Sequence, residues 1–120
     1  MSDAERLFAT PPGVRLGPID LIANGKARNF VFQMKAGRFH GFVVRRGGSA
    51  FGYVDRCPHA GLPLTQTLDD YLTPDGTLIA CSWHGALFDP ESGACVGGPC
   101  MGQFLTAWPV EVREGAIFTA

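Results

Sequence analysis

No stretch of this chain approaches the roughly 20 consecutive apolar residues that a helix needs to cross a bilayer. The opening segment Met1-Ser2-Asp3-Ala4-Glu5-Arg6 carries two acids and lacks the basic start and apolar run of an export signal. The expectation is a cytoplasmic protein without membrane insertion, in a compartment where cysteines serve as metal ligands or free thiols. A sustained helical stripe is also missing, and Ala60 to Asp70 allows one short turn at most. Basic residues interleaved with aromatics do not form a stripe, so no nucleic-acid partner is expected. Internal repeats, low-complexity tracts and inter-domain linkers are absent.

Turn chemistry, by contrast, is plentiful. Sixteen glycines and nine prolines in 120 residues imply short elements joined by tight turns, which favours a β-rich fold over a helix bundle. A hydrophobic fraction of 46% is ordinary for one folded domain and argues against disorder. The net charge of −1 hides an asymmetry. Nine basic residues face four acidic ones before Cys57, whereas Arg113 alone faces seven acids after it. Scattered, solvated charge is one reading. The other is an acidic face that steers a basic partner.

Period-2 alternation marks the strands. Residues 1–18, with Pro11-Pro12-Gly13 and Gly17-Pro18, read as an irregular lead-in to a single domain over 19–120. Phe30, Phe32 and Met34 fall on one face of a half-buried strand. His40–Arg45 and Ala50–Asp55 form a hairpin around Arg46-Gly47-Gly48-Ser49, and Glu114-Gly115 turns a closing hairpin between Trp108–Arg113 and Ala116–Thr119. Between them, residues 57–101 form a loop-rich insert in which only Leu78–Cys81 and Ala86–Phe88 are strand-like. Strands framing such an insert suit a scaffold that carries its site on loops.

Two clusters in the insert carry chemistry: Cys57-Pro58-His59-Ala60-Gly61 and Cys81-Ser82-Trp83-His84-Gly85, with 21 residues between His59 and Cys81. Each offers one thiolate and one imidazole. A [2Fe–2S] core needs two protein ligands per iron, and two histidines on one iron define a Rieske-type site. Gly61 and Gly85 let backbone pass close to sulfur and direct N–H groups at it. Structural zinc is the alternative for two Cys and two His, although the Cys-x-His pair is tight for a closed tetrahedral site. Cys95 and Cys100 admit three readings: further ligands, a redox pair, or buried packing, the last being the ordinary state of a free cysteine.

Cys-x-His followed by Cys-x-x-His-Gly resembles the signature of the Rieske ferredoxin family, and the likeness runs through nearly the whole chain after Pro18. The resemblance implies an antiparallel β-sandwich or incomplete barrel holding one [2Fe–2S] cluster through Cys57, His59, Cys81 and His84. It also implies a covering loop at Gly98-Pro99. Respiratory members of the family carry an extra cysteine in each cluster loop, joined as a disulfide; here Leu62 and Trp83 stand at those places. Ala86 and Phe88 replace the serine and tyrosine that hydrogen-bond the cluster there. Fewer such bonds lower the potential, toward the lower end of the roughly −150 to +300 mV Rieske range.

The resemblance therefore implies a one-electron carrier, such as the ferredoxin component of a ring-hydroxylating dioxygenase. Its partners would be a flavin-dependent reductase and a terminal oxygenase or other redox enzyme. The chain shows no facial triad for mononuclear iron, no nucleophile–base pair and no phosphate loop, so a complete enzyme is not expected. A small Rieske subunit of a larger redox enzyme, similar to that of assimilatory nitrite reductase, is the alternative. Trp83, next to His84, is either a core aromatic or part of a docking patch.

Overall fold

A computed structural model of the chain describes residues 10–34, 37–58, 63–64, 69–81 and 85–120. Nine strands and one short 3-10 turn account for the regular structure of these residues. The strands are β1 Arg15–Pro18, β2 Ala27–Met34, β3 Gly37–Arg46, β4 Ser49–Val54, β5 Ile79–Ala80, β6 Leu87–Phe88, β7 Cys95–Gly97, β8 Val110–Arg113 and β9 Ala116–Thr119. They form three antiparallel sheets, ordered β1-β9-β8, β2-β3-β4 and β5-β6-β7. The all-β, antiparallel architecture expected from the turn-rich sequence is the one observed.

Both expected hairpins form. Arg46 pairs with Ser49 across Gly47-Gly48, and Gly47 takes the positive φ of +61° that the turn requires. Arg113 pairs with Ala116 across Glu114-Gly115, where both turn residues have positive φ, 50° and 77°. This is the type I′ pattern that matches strand twist. Arg45 and Arg46, at the end of the first hairpin, are tied to backbone carbonyls of neighbouring segments. Arg45 donates to the Ile22 carbonyl at 2.9 Å and Arg46 to that of Thr77 at 2.9 Å.

Two boundaries differ from expectation. Arg15–Pro18 is not irregular but pairs with β9 as an edge strand. Its register shifts between Arg15 and Gly17, a bulge that conceals the alternation. Cys95–Gly97, assigned to loop, pairs with Leu87–Phe88 as β7, again through an irregular register.

Strand β3 separates two cores. Phe39 and Val43 point into one with Ile22, Val54, Trp108 and Ile117, where Phe30, Phe32 and Met34 pack as the alternation requires. Phe42 and Val44 point into the other, which holds Tyr53, Tyr71, Ile79, Phe88 and all four cysteines. Trp108 sits at the centre of the first core, against Phe39 at 5.0 Å between ring centroids. The indole packs over Gly41, where a Cβ would lie 2.7 Å from Trp108 Cε3, so only glycine fits under the ring. The backbone N–H of Trp108 donates to the Gly52 carbonyl at 2.9 Å and that of Val54 to the Thr106 carbonyl at 2.9 Å, carrying β4 toward β8.

Candidate metal centre

Cys57 lies just beyond β4 and Cys81 just beyond β5, so each strand end delivers one thiol. Both are buried, and both belong to the core cluster with Phe42, Leu64, Tyr71, Ala86 and Phe88. The Cys81 N–H donates to Ala86 O at 2.8 Å, and the Gly85 N–H to Cys81 O at 3.1 Å. These bonds close a tight loop that returns the chain to β6. Gly85 has a φ of +71°, a conformation open to glycine at little cost.

A third segment closes over this loop. Gly98 follows β7 with a φ of +85°. A Cβ there would lie 2.8 Å from Ala86 Cα and 2.9 Å from Gly85 O, so the Gly98-Pro99 turn rests directly on the Cys81 loop.

A carboxylate network holds the Cys57 side. Asp55, two residues before Cys57, accepts the Leu64 N–H on Oδ1 at 2.9 Å and the Tyr71 hydroxyl on Oδ2 at 2.8 Å. Asn29 donates to the Tyr71 hydroxyl at 2.7 Å and to Asp55 at 3.4 Å. Its own N–H is taken by Asp69 at 2.7 Å. Burial, then the charge of Asp55, raise the Tyr71 pKa well above its ordinary value. Sequence reading missed this network because its bonded partners lie 9 to 42 positions apart.

Cys95 and Cys100 are buried in the same core, their Sγ atoms 2.9 Å apart. Burial first, then the Cys95 hydrogen bond, push the Cys100 thiol up to about 12, with the charges of Cys57 and Cys81 adding to the shift. All four sulfurs thus share one low-dielectric pocket. His59, Gly61, Trp83 and His84 lie outside the described residues. Among the described residues no group of three or more Cys, His, Asp or Glu is placed to hold a metal ion. Of the four buried cysteines there, Cys57 and Cys81 are the two whose thiols would suit the sulfur-ligated half of an iron–sulfur site. Asp75, in the loop ahead of β5, accepts hydrogen bonds from Thr73 and Thr77, which hold its carboxyl down to about 2.

No helix among the described residues is long and apolar enough to cross a membrane. The chain is 38% identical over 71 residues to the ferredoxin component of the p-cumate 2,3-dioxygenase system of Pseudomonas putida. That match covers 59% of this chain and 56% of the relative, so it spans little more than half of the relative's length. Ferredoxin CarAc of Metapseudomonas resinovorans is 32% identical over 78 residues, 65% of this chain and 67% of that protein. The solved ferredoxin of carbazole 1,9a-dioxygenase from Nocardioides aromaticivorans IC177 superimposes with a TM-score of 0.68 at 25% identity, covering 92% of this chain and 98% of that one. The sequence profile of the Rieske [2Fe-2S] domain matches residues 17–112, a span that takes in both thiol loops and the covering turn. The chain belongs to the Rieske [2Fe-2S] domain family, whose members hold one [2Fe–2S] cluster.

Proposed function

We propose that the chain is a one-electron carrier of an oxygenase system, and that Cys57, His59, Cys81 and His84 are its cluster ligands. The observation that carries this reading is the burial of the Cys57 and Cys81 side chains in one core cluster, with Gly98 seated against the Gly85-Ala86 end of the Cys81 loop. When bound, the cluster supplies a site that gains and loses one electron without bond making in a substrate. Cys57 and Cys81 would hold the inner iron and keep water from it. His59 and His84 would hold the outer iron and open the route for the electron. Gly61 and Gly85 would let the backbone approach the sulfurs, and Gly98 and Pro99 would close the site from above.

Ala86 and Phe88, both fully buried beside the thiols, offer no hydroxyl. That supports a potential in the lower part of the roughly −150 to +300 mV Rieske span. A relative that is the ferredoxin component of a dioxygenase system supports a terminal oxygenase as acceptor, and a flavin-dependent reductase would be the donor. The acidic second half of the chain would favour a basic docking face, with Trp83 in the contact. We place the protein in the cytoplasm, where Cys57 and Cys81 stay available as thiolate ligands.

Iron and acid-labile sulfide analysis of the purified protein should give two of each per chain, with the visible absorption of an oxidised cluster. Cys57→Ser, Cys81→Ser, His59→Ala and His84→Ala should each abolish that absorption. A colourless protein with one zinc per chain overturns the reading. Reduction by a flavoprotein and reoxidation by an oxygenase tests the carrier role, and Trp83→Ala should slow reoxidation without moving the potential.

A further inference from the structure

Cys95 opens β7, and Cys100 lies at the far end of the Gly97-Gly98-Pro99 turn. Neither is needed as a ligand once two Cys and two His hold the cluster. Their Sγ–Sγ distance of 2.9 Å is shorter than ordinary contact between thiols, and a disulfide of about 2.05 Å is less than 1 Å away. Backbone bonds fix both ends of the segment: the Cys95 N–H donates to Gln103 O at 2.9 Å, and the Gln103 N–H to Cys100 O at 3.0 Å. The Cys95 thiol donates to the Gly97 carbonyl at 3.1 Å, so its sulfur is already oriented toward the turn.

We propose that Cys95 and Cys100 form a second redox site, a dithiol that closes to a disulfide and staples the Gly97-Gly98-Pro99 turn over the Cys81 loop. The oxidant is a small disulfide of the glutathione class. Cys95, the more exposed of the two at 7% against 2%, loses its proton and attacks one sulfur of that disulfide, whose S–S bond breaks to release one small thiol. Cys100 then loses its proton, attacks the Cys95 sulfur and expels the second small thiol. Two protein thiols are oxidised and one external disulfide is reduced to two thiols, with the protons passing to the leaving sulfurs. The exchange moves two electrons, so it is separate in kind from the one-electron chemistry of the cluster.

The staple acts where the fold is tightest. Gly98 cannot carry a Cβ without meeting Ala86 Cα and Gly85 O, so any loosening of the turn lifts it from the Cys81 loop. Bridging its two ends removes that freedom.

To test this, the holoprotein is equilibrated against glutathione buffers from reduced to oxidised while cluster absorption is followed, then quenched in acid, alkylated and digested. Cleavage after Glu91 and Glu111 releases a peptide of residues 92–111 that contains Cys95 and Cys100 but neither Cys57 nor Cys81. Expected is the joint loss of both alkyl labels from this peptide, with a mass lower by two hydrogens than the dithiol, while the cluster absorption persists. Amide exchange at Gly97 and Gly98 should slow by about tenfold or more in the oxidised form. Cys100→Ser should instead accumulate a glutathione adduct on Cys95. Double alkylation at every buffer composition overturns the proposal. So does a stable glutathione adduct in the unmodified protein, or closure only after the cluster absorption has gone.

Discussion

The ring of Tyr71 stacks on that of Phe42 with centroids 4.2 Å apart and planes 7° from parallel, while its hydroxyl donates to Asp55 at 2.8 Å. One side chain thus links the floor of the cysteine core to the carboxylate that anchors the Cys57 loop. Tyr71→Phe keeps the stack and removes the donor. It should cost about 1–2 kcal/mol, because the partly buried Asp55 carboxylate loses its phenol partner. Tyr71→Ala should cost about 3–5 kcal/mol through the lost aromatic packing. Urea unfolding of both variants checks this, and a Phe variant as stable as the parent would show that the network carries no net stability.

The two tyrosines of the chain should share one alkaline behaviour. Burial, aided by Asp89 and Glu91, pushes Tyr53 up to about 12, and its hydroxyl donates to the Pro90 carbonyl at 2.8 Å. Tyr71 is raised further. A phenol whose folded pKa exceeds its unfolded value of about 10 favours the fold fully below that pH. Its contribution is lost as pH climbs toward the folded value, since the unfolded chain releases the proton first. Phenolate absorbance should therefore stay near zero at pH 10 in the folded protein and rise only together with loss of structure. Ordinary titration near 10 with the fold intact would contradict both shifts.

Gly98 and Gly102 separate conformation from contact. Both have similar positive φ, +85° and +87°, but an added Cβ meets backbone at Gly98 and open space at Gly102. Gly102→Ala should cost about 1 kcal/mol, the left-handed penalty alone. Gly98→Ala should cost about 1–3 kcal/mol more from overpacking and should also disturb the visible spectrum of the bound cluster. Equal losses at the two positions would remove the covering role from the Gly98-Pro99 turn.

Glu114 is the opposite case, a non-glycine residue at φ +50° in the closing hairpin. Asn adopts this conformation more readily than Glu, and Asn-Gly is the preferred type I′ pair. Glu114→Asn should raise stability by about 0.5–1 kcal/mol, measured as a higher urea midpoint at unchanged slope.

Which features could be read from the sequence follows from the range of the forces involved. Hairpins are local, so Gly47-Gly48 and Glu114-Gly115 announced their strands. Cysteine and histidine spacing is local too, so Cys57 and Cys81 stood out in the sequence as candidate ligands beside His59 and His84. By contrast, β1 was hidden by a bulge between Arg15 and Gly17 and β7 by its brevity, since a strand of three residues is defined by its partner rather than by its own pattern. Trp108 looked like the start of a strand but fills a core, because its neighbours Phe39, Gly41 and Gly52 come from distant positions. The Asp55–Tyr71–Asn29 network and the approach of Cys95 to Cys100 depend on side-chain placement that spacing alone does not encode.

Strand β3 has no wet side over Phe39–Val44 except at His40, since its odd and even positions feed different cores. A sheet shared in this way behaves as a common wall between two rooms: neither can be emptied while the other stands. The thiol-bearing half therefore melts with the scaffold in one cooperative step. Any ligand that grips Cys57 and Cys81 raises the melting temperature of β8 and β9, whose side chains fill the other core, as much as that of its own loops.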